Sequence, residues 1–196
     1  AHARSARRVD DSIDVGLVDA DVTVDLLLSN GNPTGNSISV LRGLGDGTFT
    51  PLLTPLISGA RQMDARFVDL NKDGKLDIVV ANGASNTFSV LLGDGGQNFT
   101  ALLASKSLGA PAFPQAVAVG DVNGDSWPDL VFANYDSGKL SLQLFNAVND
   151  FAAVELAVGT GPQSVAVADV NGDGKPDIVA ALKGDGKVAV LLNTSQ

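Results

Sequence analysis

Residues Asp169 to Leu182 read DVNGDGKPDIVAAL, and two near copies stand upstream, DVNGDSWPDLVFAN from Asp121 and DLNKDGKLDIVVAN from Asp69. In each, an oxygen-bearing side chain falls at loop positions 1, 3, 5 and 9, just ahead of an apolar run. Carboxylates crowded on one short loop repel one another unless a cation lies between them. Calcium takes roughly six to eight oxygen ligands at about 2.3 to 2.6 Å, so an all-oxygen loop suits it. The expected ligands are Asp69, Asn71, Asp73 and Asp77; Asp121, Asn123, Asp125 and Asp129; and Asp169, Asn171, Asp173 and Asp177. The backbone carbonyl of position 7, belonging to Lys75, Trp127 or Lys175, would add one oxygen to each set, for about three ions in all.

Two other readings compete. An EF-hand or dockerin-type loop opens in the same way but needs an acidic ligand at position 12 and a helix behind it. Position 12 is Val80, Phe132 or Ala180, and IVVAN, LVFAN and IVAAL read as strands. Asx-rich surface turns that bind nothing use the same residue types. Three copies in register, each with an acidic ninth residue, weigh against that.

The loops start 52 and then 48 residues apart. One further step of 50 back from Asp69 lands on DADVTVDLLLSN, where Asp19, Asp21 and Asp25 read as a copy shortened by two residues and lacking metal. Around every loop the same segments return. A run of small and branched residues precedes it, such as AVAVGDV from Ala116, and an apolar run follows. After an Asn, Gly and Ser turn comes a second apolar run, as in SISVLRG from Ser37 or KVAVLLN from Lys187. Phe49, Phe99 and Phe151 then open a fourth. Four short strands per unit of about 50 residues predict an all-β chain of β-propeller blades, each a four-stranded antiparallel sheet. The repeats fall at about 12–60, 61–112, 113–161 and 162–196 of a single domain spanning 1–196.

Within that pattern Ala116, Ala118, Gly120, Ala166 and Ala168 suit a crowded inner strand. LFNAVNDFAAVELAV from Leu144 also fits a helical period, but its alignment with the turn at 93–98 predicts two strands. The last repeat stops after its third strand near Asn193. Residues 1–9 register with a fourth strand and are expected to complete that blade, either in a ring of four or as part of a larger propeller.

The bulk composition narrows function by exclusion. A hydrophobic content of 44% excludes a disordered chain, and a net charge of -9 argues against nucleic acid or an anionic membrane as partner. Nine loop aspartates account for much of that charge, and three calcium ions would offset six units of it. With no cysteine, thiolate chemistry and disulfide scaffolds are ruled out. No apolar run nears the roughly 20 residues of a membrane span, so membrane insertion is not expected. Ala1-His2-Ala3 has the small-x-small form of a cleaved secretory signal.

The loops, the Phe-opened fourth strands and the stretch Gly109-Ala110-Pro111 together resemble the FG-GAP or VCBS repeat family, which includes the calcium-binding blades of integrin α-subunit propellers and many secreted bacterial proteins. The resemblance implies a calcium-stabilised, secreted, extracellular or periplasmic propeller used for adhesion, ligand binding or sugar recognition. Family propellers also occur in polysaccharide-degrading enzymes. Against an enzyme, the one histidine is His2, and no nucleophile motif or phosphate loop is present. A binding or scaffold module is the leading expectation, with a protein or carbohydrate ligand and an open oligomeric state; a lectin is the alternative. The only Trp and Tyr, Trp127 and Tyr135, are the candidate sugar platform. Trp127 replaces the Lys of the other loops and is expected to face solvent, but packing on a blade edge is the favoured reading of both aromatics. Ser126 stands where the other loops have Gly74 and Gly174, which makes the middle calcium site the weakest of the three.

Overall fold

The computed structural model describes residues 12–19, 21–30, 37–53, 60–96, 98–146, 148 and 150–194, and within them every regular element is a strand. Blade 1 orders β1 (Ile13–Gly16), β2 (Asp25–Asn30), β3 (Ser37–Gly43) and β4 (Phe49–Leu53). Blade 2 orders β5 (Gln62–Val68), β6 (Asp77–Asn82), β7 (Thr87–Gly93) and β8 (Phe99–Ser107). Blade 3 holds β9 (Pro114–Gly120), β10 (Asp129–Asn134), β11 (Lys139–Phe145) and β12 (Phe151–Ala157). Blade 4 has β13 (Pro162–Ala168), β14 (Asp177–Leu182) and β15 (Lys187–Leu191). All pairings are antiparallel, and the sheets are arranged as the blades of a β-propeller. The Leu144 segment forms β11 and β12 with a turn between them, as the repeat predicts. Residues 1–9, expected to complete blade 4, lie outside the described residues.

The strand after each loop shows why the apolar runs do not alternate. In β6 and β10 every residue is buried, because a neighbouring blade covers each face. In β2 burial alternates, because blade 1 has a neighbour on one face only. Between blades 2 and 3 the core is aromatic. Phe88 lies 5.0 Å from Phe132 and 5.3 Å from Phe151, and Phe145 lies 4.8 Å from Phe151, all between ring centroids.

Inner strands pack in sequence, β1 on β5, β5 on β9 and β9 on β13. Hydrogen bonds tie them across the gap, where Ala65 N–H donates to Ser12 Oγ and Val117 N–H to Asp64. The approach is close. A Cβ built on Gly120 would stand 2.6 Å from Val167 Cγ1, so the small residues expected on this strand answer a real contact. Among the described residues β13 and β1 make no packing contact of comparable extent. The outer faces of the end blades stay open, with Ile13 62%, Val15 57%, Val188 65% and Val190 53% exposed.

Candidate functional site

Each acidic loop joins the inner strand of a blade to the second, so all four sit at one end of the propeller. Position 9 of the loop, the first residue of the second strand, is a buried aspartate in every blade: Asp25, Asp77, Asp129 and Asp177. Its two carboxylate oxygens do the same work four times. Oδ2 accepts the N–H of Val18, Leu70, Val122 or Val170 at loop position 2, at 2.8 to 3.0 Å. Oδ1 accepts the N–H that follows or ends the third strand, from Gly43, Gly93, Phe145 or Asn193, at 2.7 to 3.0 Å. The carboxylate therefore pins the loop to the far strand of its own blade. Burial pushes the carboxyls of Asp77 and Asp129 above the usual range, against the pull of these N–H donors; the charges of Asp73 and Asp125 push the same way.

Positions 1, 3 and 5 form a chain of Asx turns. Asp69 accepts from the N–H groups of Asp73 and Gly74, Asn71 from Asp73, and Asp73 from Lys75. The loops at Asp121 and Asp169 repeat the pattern, with Asp169 held below the usual carboxylate range by the N–H of Gly174 first and by those of Gly172 and Asp173 next. Position 6 is left-handed in all three, with φ +81° at Gly74, +71° at Ser126 and +84° at Gly174. The serine thus carries the backbone cost the sequence suggests.

The donor set of each full loop, three carboxylates and an amide oxygen, fits a calcium ion, and the residues that would hold it are those at positions 1, 3, 5 and 9 with the carbonyl of position 7. Carboxylate oxygens already bonded to N–H groups keep further lone pairs for a cation. Among the described residues no three acidic side chains yet converge on one point.

The first loop differs from its expected form. Gly16 pairs with Asp25 as Val68 pairs with Asp77, so the first loop is full length. Asp25 is position 9, Asp21 position 5 and Asp19 position 3, which puts Leu17 at position 1. The turns agree, since Asp21 N–H donates to Asp19 and Thr23 N–H to Asp21, matching Asp73 to Asn71 and Lys75 to Asp73. What the copy lacks is its first carboxylate, not two residues. Into the gap comes Arg42, with Nε 2.9 Å from Asp19 and Nη2 2.7 Å from Asp21. The Thr23 hydroxyl and then Arg42 hold the Asp21 carboxyl well below the ordinary range. At the register of Arg42 the other blades carry Leu92, Leu144 and Leu192. Nothing in the first loop's own motif pointed to Arg42; the only signal is that it breaks an apolar column.

The aromatic pair does not make one platform. Trp127 is half-buried, its ring edge-on to Phe145 at 5.9 Å and covered by the Lys72 ammonium at 4.6 Å. It packs between the loops of blades 2 and 3 instead of facing solvent. Tyr135 lies at the opposite end of β10, beside Gly161, and that strand spans roughly 20 Å at about 3.3 Å per residue. The packing reading holds for Trp127. A cleft of about 460 Å³ opens instead between the loops of blades 3 and 4, lined by Asp121, Asn123, Lys175 and Asn193 among others. Asn193 bridges these blades, its amide donating to the carbonyls of Val122 and Pro176.

Among solved structures the chain is similar to a lectin of Agrocybe aegerita, described for its specific recognition of non-reducing terminal N-acetylglucosamine. Identity is 21% and TM-score 0.63, over 94% of this chain and 50% of the lectin. It is also similar to hydrazine synthase of Kuenenia stuttgartiensis, at 14% identity and TM-score 0.59, over 88% and 56%. For the exo-β-1,3-galactanase of Phanerochaete chrysosporium the values are 11% and 0.56, over 91% and 49%. These likenesses show the fold, and the chain spans about half the length of the structures it matches. A search of curated protein sequences gave no match. The profile of the FG-GAP-like repeat matches three times, at residues 18–80, 69–132 and 121–180, each match running from one acidic loop into the strand beyond the next. The chain belongs to the FG-GAP-like repeat family.

Proposed function

We propose that the chain is a calcium-stabilised binding and scaffold module working outside the cytoplasm, with a protein or carbohydrate ligand. The observation that carries this reading is the exchange of cations between loops. Where the acidic set is incomplete, Arg42 spans Asp19 and Asp21; where it is complete, leucine stands at that register and the acids are left for a metal ion. Sites of this kind in extracellular modules bind calcium at about 0.1 to 1 mM, a concentration range that belongs outside the cell. At a dissociation constant of roughly 0.1 mM, 1 mM calcium stabilises the fold by about 1.4 kcal/mol per site, or about 4 kcal/mol for three. Thermal unfolding with chelator and with 1 mM calcium tests this: a rise in midpoint on adding calcium is expected, and equal midpoints overturn the reading.

A carbohydrate ligand is the second reading, and the likeness to the lectin and the galactanase favours it. The cleft between the loops of blades 3 and 4 is of a size for a small ligand, and its acidic, amide and ammonium groups suit sugar hydroxyls. No catalytic role is assigned, since the sequence has one histidine and no cysteine to tune near neutral pH. A glycan array run with and without chelator separates the readings: calcium-dependent binding of a glycan selects the lectin, and binding to no glycan leaves a protein ligand.

A further inference from the structure

The two open faces of the end blades are the halves of an interface the molecule already makes twice inside itself. On blade 1, Ile13, Val15, Leu26, Leu28 and Leu41 stand at the register of Ala65, Phe67, Ile78, Val80 and Leu91. In blade 2 those residues pack against blade 1. On blade 4, Val179, Ala181, Val188 and Val190 stand at the register of Val79, Ala81, Phe88 and Val90. In blade 2 those residues pack against blade 3. The inner positions are closed, with Ala65, Phe88 and Val90 fully buried, whereas Ile13, Val15, Val188 and Val190 are more than half exposed. Apolar columns of this extent on a surface mark an interaction site.

We propose that these faces dock a second copy of this chain, the open face of blade 4 on one copy packing against the open face of blade 1 on the other. The two faces are different surfaces, so the contact is heterologous. Such contacts either close into a ring or run on as an open filament. Closure with two copies follows from proportion, because this arc spans about half of each matched propeller chain and a second equal arc supplies the rest. The pair then holds two identical junctions, each burying one face of each copy. The inference does not depend on metal.

Native mass spectrometry and light scattering of the 196-residue chain test it. A single species of twice the 20.0 kDa chain mass is expected. Val15→Asp and Val190→Asp alter exposed side chains and leave each blade's own core alone, which circular dichroism checks. Each variant alone spoils both junctions and should be monomeric. Mixed in equal amounts they should pair, since one junction of the mixed pair brings together two unaltered faces. A monomeric parent chain overturns the proposal and leaves the faces to another occupant; an open ladder of masses overturns closure by two. Failure of the mixed variants to pair overturns the heterologous contact.

Discussion

In blade 1 the carboxylates of Asp19 and Asp21 close on Arg42, whereas in blade 3 those of Asp121 and Asp125 turn onto the N–H groups of Gly124, Ser126 and Trp127. Yet the ninth residue behaves alike in both, with Asp25 and Asp129 each bridging position 2 of the loop to the third strand. Two functions that look like one motif are therefore separable. The aspartate at position 9 builds the blade whether or not a cation follows. The residues at positions 1, 3 and 5 collect negative charge that needs a counter-ion, supplied in blade 1 by the chain and proposed in the others to be calcium.

The largest effect should come from removing the shared clamp. Asp129→Ala leaves the N–H groups of Val122, Asn123 and Phe145 without their acceptor, and Asp25→Ala does so for Val18 and Gly43. At about 1 to 3 kcal/mol per buried orphan, each variant should lose roughly 3 to 5 kcal/mol in denaturant unfolding without calcium. A loss under about 1 kcal/mol in Asp25→Ala alone would break the equivalence of the two blades.

Next in size is the strain at position 6 of the middle loop. Ser126→Gly should raise stability by about 1 kcal/mol and tighten calcium at that loop, because glycine reaches the left-handed conformation without a Cβ penalty. No change would mean that the loop relaxes around the serine. Arg42→Leu installs the residue of the other blades and leaves Asp19 and Asp21 facing each other. Its loss of stability should be smaller than that of Asp25→Ala, greatest at low ionic strength and fading with added salt. A loss independent of salt would point to packing of the Arg42 stem.

Much of this was legible in the sequence, and the failures have definite causes. Oxygen-bearing residues at alternate positions before apolar runs were enough to predict loop, strand and blade, because each depends on local spacing. The first loop was misread because counting back 50 residues anchored it on Asp19, whereas its register is fixed by the pairing of Gly16 with Asp25. Trp127 was expected in solvent from the lysines at its position elsewhere. Its real neighbours, Phe145 and Lys72, come from another strand and another blade's loop, and position in one loop says nothing of either. Arg42 escaped for the same reason: it is some twenty residues from its partners and meets them only when β3 folds beside β2.

The smallest effect concerns a carboxylate outside the loops. Burial raises the Asp64 carboxyl above the usual range, outweighing the Val117 N–H and the Arg66 guanidinium 3.1 Å away. A raised folded value means that the unfolded chain gives up its proton first, so this group's contribution falls as pH rises through the window above the ordinary carboxylate value. Asp64→Asn lacks that slope and should gain on the parent chain as pH rises, with calcium making no difference to the gain. A pH-independent difference would contradict the assignment, and a calcium-dependent one would tie Asp64 to the loops.

Calorimetric titration of the chelator-treated chain with calcium tests the separation of clamp from cation most directly. Three sites are expected, in blades 2, 3 and 4, with the loop closed by Arg42 silent. Leu17→Asp combined with Val22→Gly and Arg42→Leu restores the missing carboxylate, the left-handed residue and the leucine, and should raise the count to four. A count of zero in the parent chain would contradict the account, as would a fourth site already present before Arg42 is replaced.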